Sequence, residues 1–320
     1  MRNRTSVAIG YGLLFWALGG CASFRPAPAE PATLRIADHD LIRQYEDAAA
    51  EIVDRKTVTM ETLEEQIERP LALPPGPWPA ACTDPLSLRD LYARCCSGVL
   101  MVLRIYKCPR CSNWHADTEA SGFLVRSDGL AVTCRHVIEM DSSQKLDDVI
   151  IFGDAHGRVY PVTGVLASSL PDDLALVQLD MRIADSLEPS QRPQPIPLRK
   201  DVEVGEPISI ISHPDHNHYL LTHGIVSRIG TNYGGISGDQ KSLRSVPTPI
   251  LNVTAEFGAG SSGAPVFDEA GNAVGVVVST LAISHGEKDS KVQMVVRYCA
   301  PVSQLLKLIE RRQSATQPGR

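Results

Sequence analysis

The sequence lacks an excess of basic residues: 31 lysines and arginines face 37 aspartates and glutamates, for a formal net charge of −6. Nucleic acid as the main partner would require a concentrated basic face, so this balance argues against it. The sequence also lacks an unbroken apolar run of the roughly 20 residues that a membrane-spanning helix needs. At 320 residues and 43% hydrophobic content, the chain is long enough to bury a sizeable core.

The first residues have the parts of an export signal. The basic start Met1–Arg4 precedes a short, mostly apolar run, Val7–Leu18, so residues 1–20 are expected to be a cleaved signal peptide. Leu18-Gly19-Gly20-Cys21 resembles the lipobox of bacterial lipoproteins, in which the cysteine is lipidated; the alternative is an ordinary secretory signal with a chance cysteine. A lipid on Cys21 would hold the protein on a membrane. The following Ala22 favours the outer membrane facing the periplasm.

Residues 21–84 are expected to form a tether and a helical extension. Phe24–Ala32 is rich in proline and predicts an extended tether. Ile36–Arg69 has glutamates among alanines and leucines, which predicts one or two solvent-exposed helices without chemistry. The proline-rich Pro70–Pro79 then breaks the chain, and Pro85–Ala93 predicts a short helix that leads into a strand.

A serine flanked by glycines lies in the stretch Phe257–Phe267, just before the apolar run Ala273–Val278. Glycine has no Cβ and tolerates positive φ, so backbone amides can close around a developing oxyanion beside Ser262. Taken alone, such a cluster is most often only a turn between strands.

A histidine and a carboxylate upstream strengthen the catalytic interpretation. Ser121–Ile138 predicts a β-hairpin that ends in His136 just past its second strand. Asp173 opens a largely apolar strand, so its carboxylate lies at the edge of a core and needs a donor such as an imidazole N–H. The order His136, Asp173, Ser262 differs from the orders in α/β-hydrolases and subtilisin-type enzymes.

With these motifs the sequence resembles the trypsin-like serine proteases of chymotrypsin fold, and within them the bacterial HtrA (Do-like) branch. The resemblance runs from about Ser97 to Ile309 through Ser121–Phe123, Asp128-Gly129, Val132-Thr133 with His136-Val137, Asp173–Leu176, Thr222–Ser227, Gly260–Pro265 and Val292–Val296. It implies that His136 is the general base, Asp173 its orienter and Ser262 the nucleophile. The backbone amides of Gly260 and Ser262 would form the oxyanion hole.

The implied fold class is all-β, with two packed six-stranded β-barrels, an N-terminal helical extension and a C-terminal helix. The protease domain is expected over residues 85–311, with barrel one at about 97–187 and barrel two at about 207–300. An amphipathic helix is expected over Pro301–Arg311. Residues 312–320 are expected to be a disordered tail, and no PDZ-like domain is expected after it. The trimer usual in the family is therefore not inferred, and the oligomeric state stays open.

Three residues depart from the family pattern. Cys134 and Arg135 replace small or polar residues before the histidine, and Ala264 replaces a glycine after the serine. None of these changes removes a catalytic group. Cys134 is expected to be a small buried hydrophobe at the end of its strand.

The resemblance also places a primary specificity pocket. Glu256 and Phe257 would lie at its base and wall, opposite Ser279 and Leu281. A carboxylate there would favour a basic residue before the cut, whereas Phe257 would restrict the pocket to small or medium apolar groups, and the sequence leaves both open.

Cys108-Pro109-Arg110-Cys111 and His115 offer three ligands for a tetrahedral zinc ion. A fourth ligand would come from Cys82, Cys95, Cys96 or elsewhere. Since nearby cysteines oxidise in the cell envelope, a disulfide is an equal alternative and a redox-active pair a third. Without Cys21, seven cysteines remain, so at least one is free, metal-bound or intermolecular.

A histidine-rich stretch, His213–His218 with His223, also offers metal ligands. It lies where the resemblance places a variable loop of the family, and this position favours a solvated turn. The sequence thus predicts a lipid-anchored serine endopeptidase of the cell envelope that cleaves peptides or proteins without a required cofactor. The alternatives are an inactive protease-fold module that binds peptides and a zinc- or thiol-dependent interaction protein.

Overall fold

The structure is a computed structural model that describes residues 35–53, 58–139, 149–236, 246–284 and 291–316. The predicted signal peptide, the lipidation site Cys21 and the proline-rich tether lie outside the described residues. No helix within the described ranges is both long enough and apolar enough to cross a bilayer.

The predicted pair of six-stranded barrels is confirmed, since both sheets close on themselves. Barrel one consists of Val99–Lys107 (β1), Trp114–Leu124 (β2), Leu130–Cys134 (β3), Val149–Gly153 (β4), Val159–Ser169 (β5) and Leu174–Leu179 (β6). Barrel two consists of Pro207–Ser212 (β7), Leu220–Tyr233 (β8), Pro247–Val253 (β9), Pro265–Phe267 (β10), Ala273–Ser284 (β11) and Val292–Pro301 (β12). The strand orders are β1-β2-β3-β6-β5-β4 and β10-β11-β12-β9-β8-β7, with antiparallel neighbours.

In the described parts of the chain, three helices precede the barrels, two short ones lie between strands, and one follows the last strand. They are Asp38–Val53 (α1), Met60–Glu68 (α2), Leu88–Cys95 (α3), Arg135–Ile138 (α4), Arg182–Asp185 (α5) and Val302–Thr316 (α6). Ser87 caps α3, because its hydroxyl accepts the amide proton of Asp90. Short 3-10 turns occur at Cys96–Gly98, Pro189–Gln191 and Pro214–His216.

The two barrels meet along β1 and β3. Both strands are mostly apolar, and nearly all their residues are buried. Successive side chains of a strand point alternately into the barrel and away from it. Since nearly all of them are buried, other parts of the protein must cover the outer face of these strands. The cover comes in part from barrel two, whose β7 and β11 contact β1 and β3. The barrels therefore pack against each other through these strands, and the turn that carries His136 directly follows β3.

The N-terminal helices are packed, and the expectation that they are solvent-exposed is wrong. Leu41, Tyr45 and Ala49 recur every four residues along α1 and are buried, as are Leu63 and Ile67 of α2. This narrow apolar stripe is hard to see among the alanines and glutamates of the sequence. The extension is thus part of the core of barrel one.

The C-terminal helix continues past its expected end at Arg311 and reaches Thr316, so the prediction of disorder is wrong for residues 312–316. The Arg312 guanidinium donates hydrogen bonds to the carbonyls of Leu166, Pro70 and Leu71 at 3.1, 2.9 and 2.9 Å. These contacts tie α6 to barrel one and to the extension. Residues 317–320 lie outside the described ranges.

We expect Tyr45→Ala to lower the free energy of unfolding by about 3–5 kcal/mol, since a buried aromatic ring leaves a cavity between α1 and barrel one. Tyr45→Phe should cost about 1 kcal/mol, because only the hydroxyl donating to the Asp154 carbonyl at 2.6 Å is lost. Urea denaturation measures both values, with the exposed Glu51→Ala as control. Equal stability of the Tyr45→Ala and Glu51→Ala variants would show that α1 is not part of the folding unit.

Candidate active site

The structure brings His136 and Asp173 together at the ends of two paired strands. Cys134, the last residue of β3, pairs with Leu174, the first of β6, so His136 in α4 lies beside the residue that precedes β6. The Asp173 carboxylate contacts His136 twice: Oδ2 lies 2.6 Å from the ring Nδ1, and Oδ1 accepts the backbone N–H at 2.9 Å. The His136 side chain is 45% exposed and that of Asp173 only 3%. One edge of the ring is therefore fixed, while the edge carrying Nε2 is accessible.

Asp173 itself has an unusual backbone conformation, with φ 52°. Aspartate is one of the few residues with a side chain that tolerates the left-handed region. The backbone carbonyl of Asp173 also accepts the N–H of Arg135 at 3.1 Å, so the turn is bonded on both sides of the histidine. A strained residue held in this way commonly marks a functional position.

Ser262 lies in the loop between β9 and β10, and its side chain is half-buried. Among the described residues, the hydrogen-bond acceptor of its hydroxyl is the Val278 carbonyl, at 3.3 Å. In this conformation the hydroxyl proton is thus directed to the main chain of β11 and not to His136. Nucleophile–base hydrogen bonds are often loose without substrate and form when it binds.

Ser121 of β2 holds the serine loop against barrel one. Its backbone N–H donates to the Ser262 carbonyl at 2.9 Å, and its hydroxyl donates to the Gly260 carbonyl at 2.8 Å. Gly263 is part of the same contact, because a Cβ there would lie 2.1 Å from the Ser121 carbonyl oxygen and 2.5 Å from the Thr133 hydroxyl. Only glycine allows this close approach, and Gly263 also has φ 89°.

The backbone around Gly260 leaves donors free beside the serine. Gly260 has φ 90°, and a Cβ there would lie 2.3 Å from the His213 carbonyl oxygen. Within the described ranges, the amides of Gly260 and Ser262 have no hydrogen-bond acceptor. The neighbouring Ser261 is buried and donates its hydroxyl to that of Ser212 at 3.0 Å. The loop is thus anchored through Ser261, and two amides next to Ser262 remain available for an anion.

The histidine-rich loop His213–His218 packs against this backbone. The expectation of a solvated turn is wrong for His213 and His218, because both side chains are buried. The His213 N–H donates to the Ser121 hydroxyl at 3.2 Å, and its Nδ1 accepts the N–H of Tyr219 at 3.1 Å. His218 Nδ1 lies 2.9 Å from a carboxylate oxygen of Asp38, at the start of α1. The sequence did not reveal this role because the helix that covers the loop is distant in the chain.

Arg135 is a supporting residue that the sequence flagged only as a departure from the family pattern. Its buried guanidinium bonds to Glu68 of α2 at 2.6 Å and to Glu139 at 3.1 Å. The carboxyl partners raise the pKa of Arg135 further above its usual value, against the opposing effect of burial. The histidine turn is therefore fastened to the N-terminal extension.

Cys134 is buried as expected, and its thiol donates to the Val277 carbonyl at 3.2 Å. Its sulfur lies within 4.8 Å of the ligand atoms of His136 and Asp173. Burial, and then the negative charge of Asp173, raise the pKa of the Cys134 thiol well above its ordinary value. The thiol therefore stays protonated and does not compete with Ser262 as a nucleophile.

The four residues of the predicted specificity pocket have varied surroundings. The exposed Glu256 carboxylate pairs with the Arg297 guanidinium at 2.9 Å, and Phe257 is half-buried. The Ser279 hydroxyl donates to the Ile236 carbonyl at 2.7 Å. Leu281 of β11 is 51% exposed. Glu256 is thus already matched by a positive charge.

The candidate metal ligands Cys108, Cys111 and His115 are brought together between β1 and β2, with their ligand atoms all within 4.8 Å of one another. Both cysteines are free thiols in the structure. Backbone N–H groups of Arg110 and Cys111 donate to the Cys108 sulfur and lower the pKa of that thiol.

The other cysteines considered as a fourth ligand bond elsewhere. The Cys82 sulfur accepts a hydrogen bond from Arg94, while the thiols of Cys95 and Cys96 donate to the carbonyls of Gly271 and Ala93. None of the three belongs to the cluster formed by the described ligands. The cluster therefore contains two sulfurs and one imidazole.

Comparison with known sequences shows what this chain is similar to. Residues 120–276 match the family described as the trypsin-like peptidase domain. The chain is 24% identical over 201 residues to the chloroplastic protease Do-like 5 of Arabidopsis thaliana, covering 62% of this chain and 58% of that protein. It is 25% identical over 165 residues to a probable periplasmic DegP-like serine endoprotease of Pseudomonas fluorescens, covering 50% of this chain and 29% of that protein. The matched region thus covers little more than half the length of the first relative and less than a third of the second.

Solved structures show the same fold. The HtrA-type protease AlgW with a decapeptide superposes with a TM-score of 0.52 at 18% identity, covering 71% of this chain and 67% of that chain. Deg5 superposes with a TM-score of 0.50 at 18% identity, covering 71% of this chain and 97% of that chain. The resemblance drawn from the sequence is confirmed: residues 120–276 match a trypsin-like peptidase domain, and the chain is similar to Do-like and HtrA-type serine proteases.

Proposed function

We propose that this protein is a serine endopeptidase that hydrolyses peptide bonds through His136, Asp173 and Ser262. The observation that carries the proposal is the double contact of the Asp173 carboxylate with His136, at 2.6 and 2.9 Å. Because Nδ1 contacts the carboxylate, Nε2 is the ring nitrogen that can take a proton from the serine. Ser121 holds the loop that carries Ser262 against the same barrel. A histidine steadied by a buried carboxylate beside a serine with free neighbouring amides is suited to acyl transfer.

The reaction starts with rotation of the Ser262 hydroxyl from the Val278 carbonyl to His136 Nε2. His136 removes the proton while the oxygen attacks the peptide carbonyl, and the amides of Gly260 and Ser262 bind the oxyanion. Each such donor is worth about 2.7–4 kcal/mol. The imidazolium, stabilised by Asp173, protonates the leaving amine, and His136 then activates the water that releases the acyl group. The mechanism requires no cofactor.

Peptides and proteins are the proposed substrates, and the relative AlgW was solved with a decapeptide. In the proposed specificity pocket, Arg297 neutralises Glu256, so this carboxylate does not favour a basic residue. Phe257, Ser279 and Leu281 leave a largely apolar lining. We therefore propose a preference for a small or medium apolar residue before the cut.

The proposed location is the cell envelope, with a lipid on Cys21 that anchors the protein to the outer membrane facing the periplasm. Support comes from the export signal, the lipobox-like residues and the periplasmic designation of the DegP-like relative. Two or more acyl chains would suffice for stable anchoring, since each buried CH₂ contributes about 0.8 kcal/mol.

One observation favours a second candidate function, an inactive module that binds peptides. The Ser262 hydroxyl bonds to the Val278 carbonyl and not to His136. If the Ser262 hydroxyl kept this hydrogen bond permanently, the cleft could still bind a peptide, but His136 could not activate the serine. Chemical labelling of the serine separates the two functions.

We expect a fluorophosphonate probe to label the wild-type chain and to leave Ser262→Ala unlabelled, because the probe reacts with an activated serine. Asp173→Asn should slow labelling by roughly 10³–10⁴-fold, since His136 loses the group that fixes its tautomer. Labelling rates followed by mass spectrometry test this, with the exposed Ser314→Ala as matched control. Wild type that takes up no more probe than Ser262→Ala, although folded, supports the binding module and refutes the endopeptidase.

We expect kcat/KM to be at least about 10-fold higher for peptides with alanine or valine before the cut than for the same peptides with arginine. Glu256→Gln should leave this ratio unchanged, because the carboxylate is exposed and paired with Arg297. Peptide cleavage followed by chromatography provides both values. A preference for arginine that disappears in Glu256→Gln would contradict the proposal and assign Glu256 to the pocket.

We expect the full chain, expressed in a bacterial host fed an alkyne-labelled fatty acid, to carry the label and to sediment with membranes. Cys21→Ser should lose the label and become soluble or stay unprocessed, whereas Cys82→Ser should behave as wild type. Fatty-acid labelling of a Cys21→Ser chain to the wild-type level would exclude Cys21 as the anchor.

A further inference from the structure

We propose that Cys108, Cys111 and His115 bind a zinc ion at the tip of the β1–β2 hairpin, beside helix α1. The site has three protein ligands, is separate from the proposed catalytic residues and is independent of their chemistry. It occupies the tip of the hairpin whose second strand carries Ser121.

The hairpin tip is shaped as a narrow knuckle. The Cys108 N–H donates to the Asn113 carbonyl at 2.8 Å, and the Ser112 N–H donates to the Cys108 carbonyl at 2.9 Å. Ser112 closes the turn with φ 61°. These bonds place both cysteines on one short turn and His115 at the start of the returning strand.

The ligand atoms lie close to the spacing that tetrahedral zinc coordination requires. With Zn–S of about 2.3 Å and Zn–N of about 2.0–2.1 Å, tetrahedral ligands lie about 3.6–3.8 Å apart. The Cys111 sulfur lies 3.1 Å from His115 Nε2, and all three ligand atoms lie within 4.8 Å of one another. Small side-chain rotations therefore create the site without backbone movement. Two thiolates and one imidazole form a ligand set suited to zinc.

Glu46 of α1 supplies the outer support that metal-bound histidines usually have. Its Oε1 lies 3.5 Å from His115 Nδ1 and accepts the Ala116 N–H at 3.1 Å. The ring therefore directs Nε2 to the cysteines and Nδ1 toward a carboxylate, an arrangement common around metal-bound histidines. Since Glu46 belongs to α1, the proposed site lies where the hairpin meets the extension.

The fourth position would be taken by water. The described residues add no further cysteine, histidine or carboxylate to the three-membered cluster, and Cys111 is exposed. Two thiolates already balance the charge of the ion, so a neutral fourth ligand suffices.

The test uses the full chain, purified in mild detergent with a phosphine reductant, and measures metal by mass spectrometry. We expect about one zinc per chain in wild type, and its loss in Cys108→Ser and in Cys111→Ser. Cys82→Ser, another half-buried free cysteine outside the cluster, is the matched control and should keep the metal. Cobalt substitution should give intense visible bands and a thiolate charge-transfer band typical of tetrahedral sulfur coordination.

The role of Glu46 has its own variant. Glu46→Gln should weaken zinc affinity by about 10–100-fold, as loss of an outer-shell carboxylate commonly does. The exposed Glu51→Gln in the same helix should leave the affinity unchanged. Competition with a chromophoric chelator measures both constants, and equal affinity of the two variants would remove Glu46 from the site.

The proposal is overturned if reduced wild type fails to bind zinc on reconstitution. It is also overturned if protein isolated without reductant is metal-free and peptide mapping finds a disulfide between Cys108 and Cys111. Metal content does not depend on Ser262, so failure here is distinguishable from failure of the endopeptidase proposal.

Discussion

Two hydrogen bonds from Ser121 connect the halves of this protein at the point where its chemistry is proposed. The backbone N–H and the hydroxyl of Ser121, a residue of barrel one, bind the carbonyls of Ser262 and Gly260 in barrel two. The contact is so close that Gly263 has no space for a side chain. The remaining alignment follows from it, because His136 is fixed to barrel one by Asp173 and needs a partner at a defined distance across the contact between the barrels.

Much of this arrangement could be predicted from the sequence. The hairpin ending in His136 and the carboxylate before a buried strand follow from local patterns, and the family resemblance joined them to Ser262 and implied two barrels. Local patterns were sufficient for His136 and Asp173 because each lies next to the end of a continuous apolar strand. The direction of the Ser262 hydroxyl toward Val278 was not predictable, since side-chain rotation leaves no mark in a sequence.

The N-terminal extension was the main part that the sequence concealed. Its contacts with the site, Asp38 with His218 and Glu68 with Arg135, join residues more than 60 positions apart. Single charged residues on a helix give no sign of such distant partners, and the four-residue stripe of α1 is too sparse to indicate burial. The extension therefore supports both the histidine turn and the loop beneath Gly260 from outside the barrels.

The last described helix has a consequence for how the molecule is made. Arg312 caps carbonyls of Leu166, Pro70 and Leu71, which belong to the earliest-made barrel and to the segment ahead of it. A ribosome makes the chain from its amino end, so these acceptors lack Arg312 until α6 has been made. The native packing is therefore completed only after Arg312 has been synthesised. A nascent chain that stops before Arg312 lacks the hydrogen bonds to Leu166, Pro70 and Leu71.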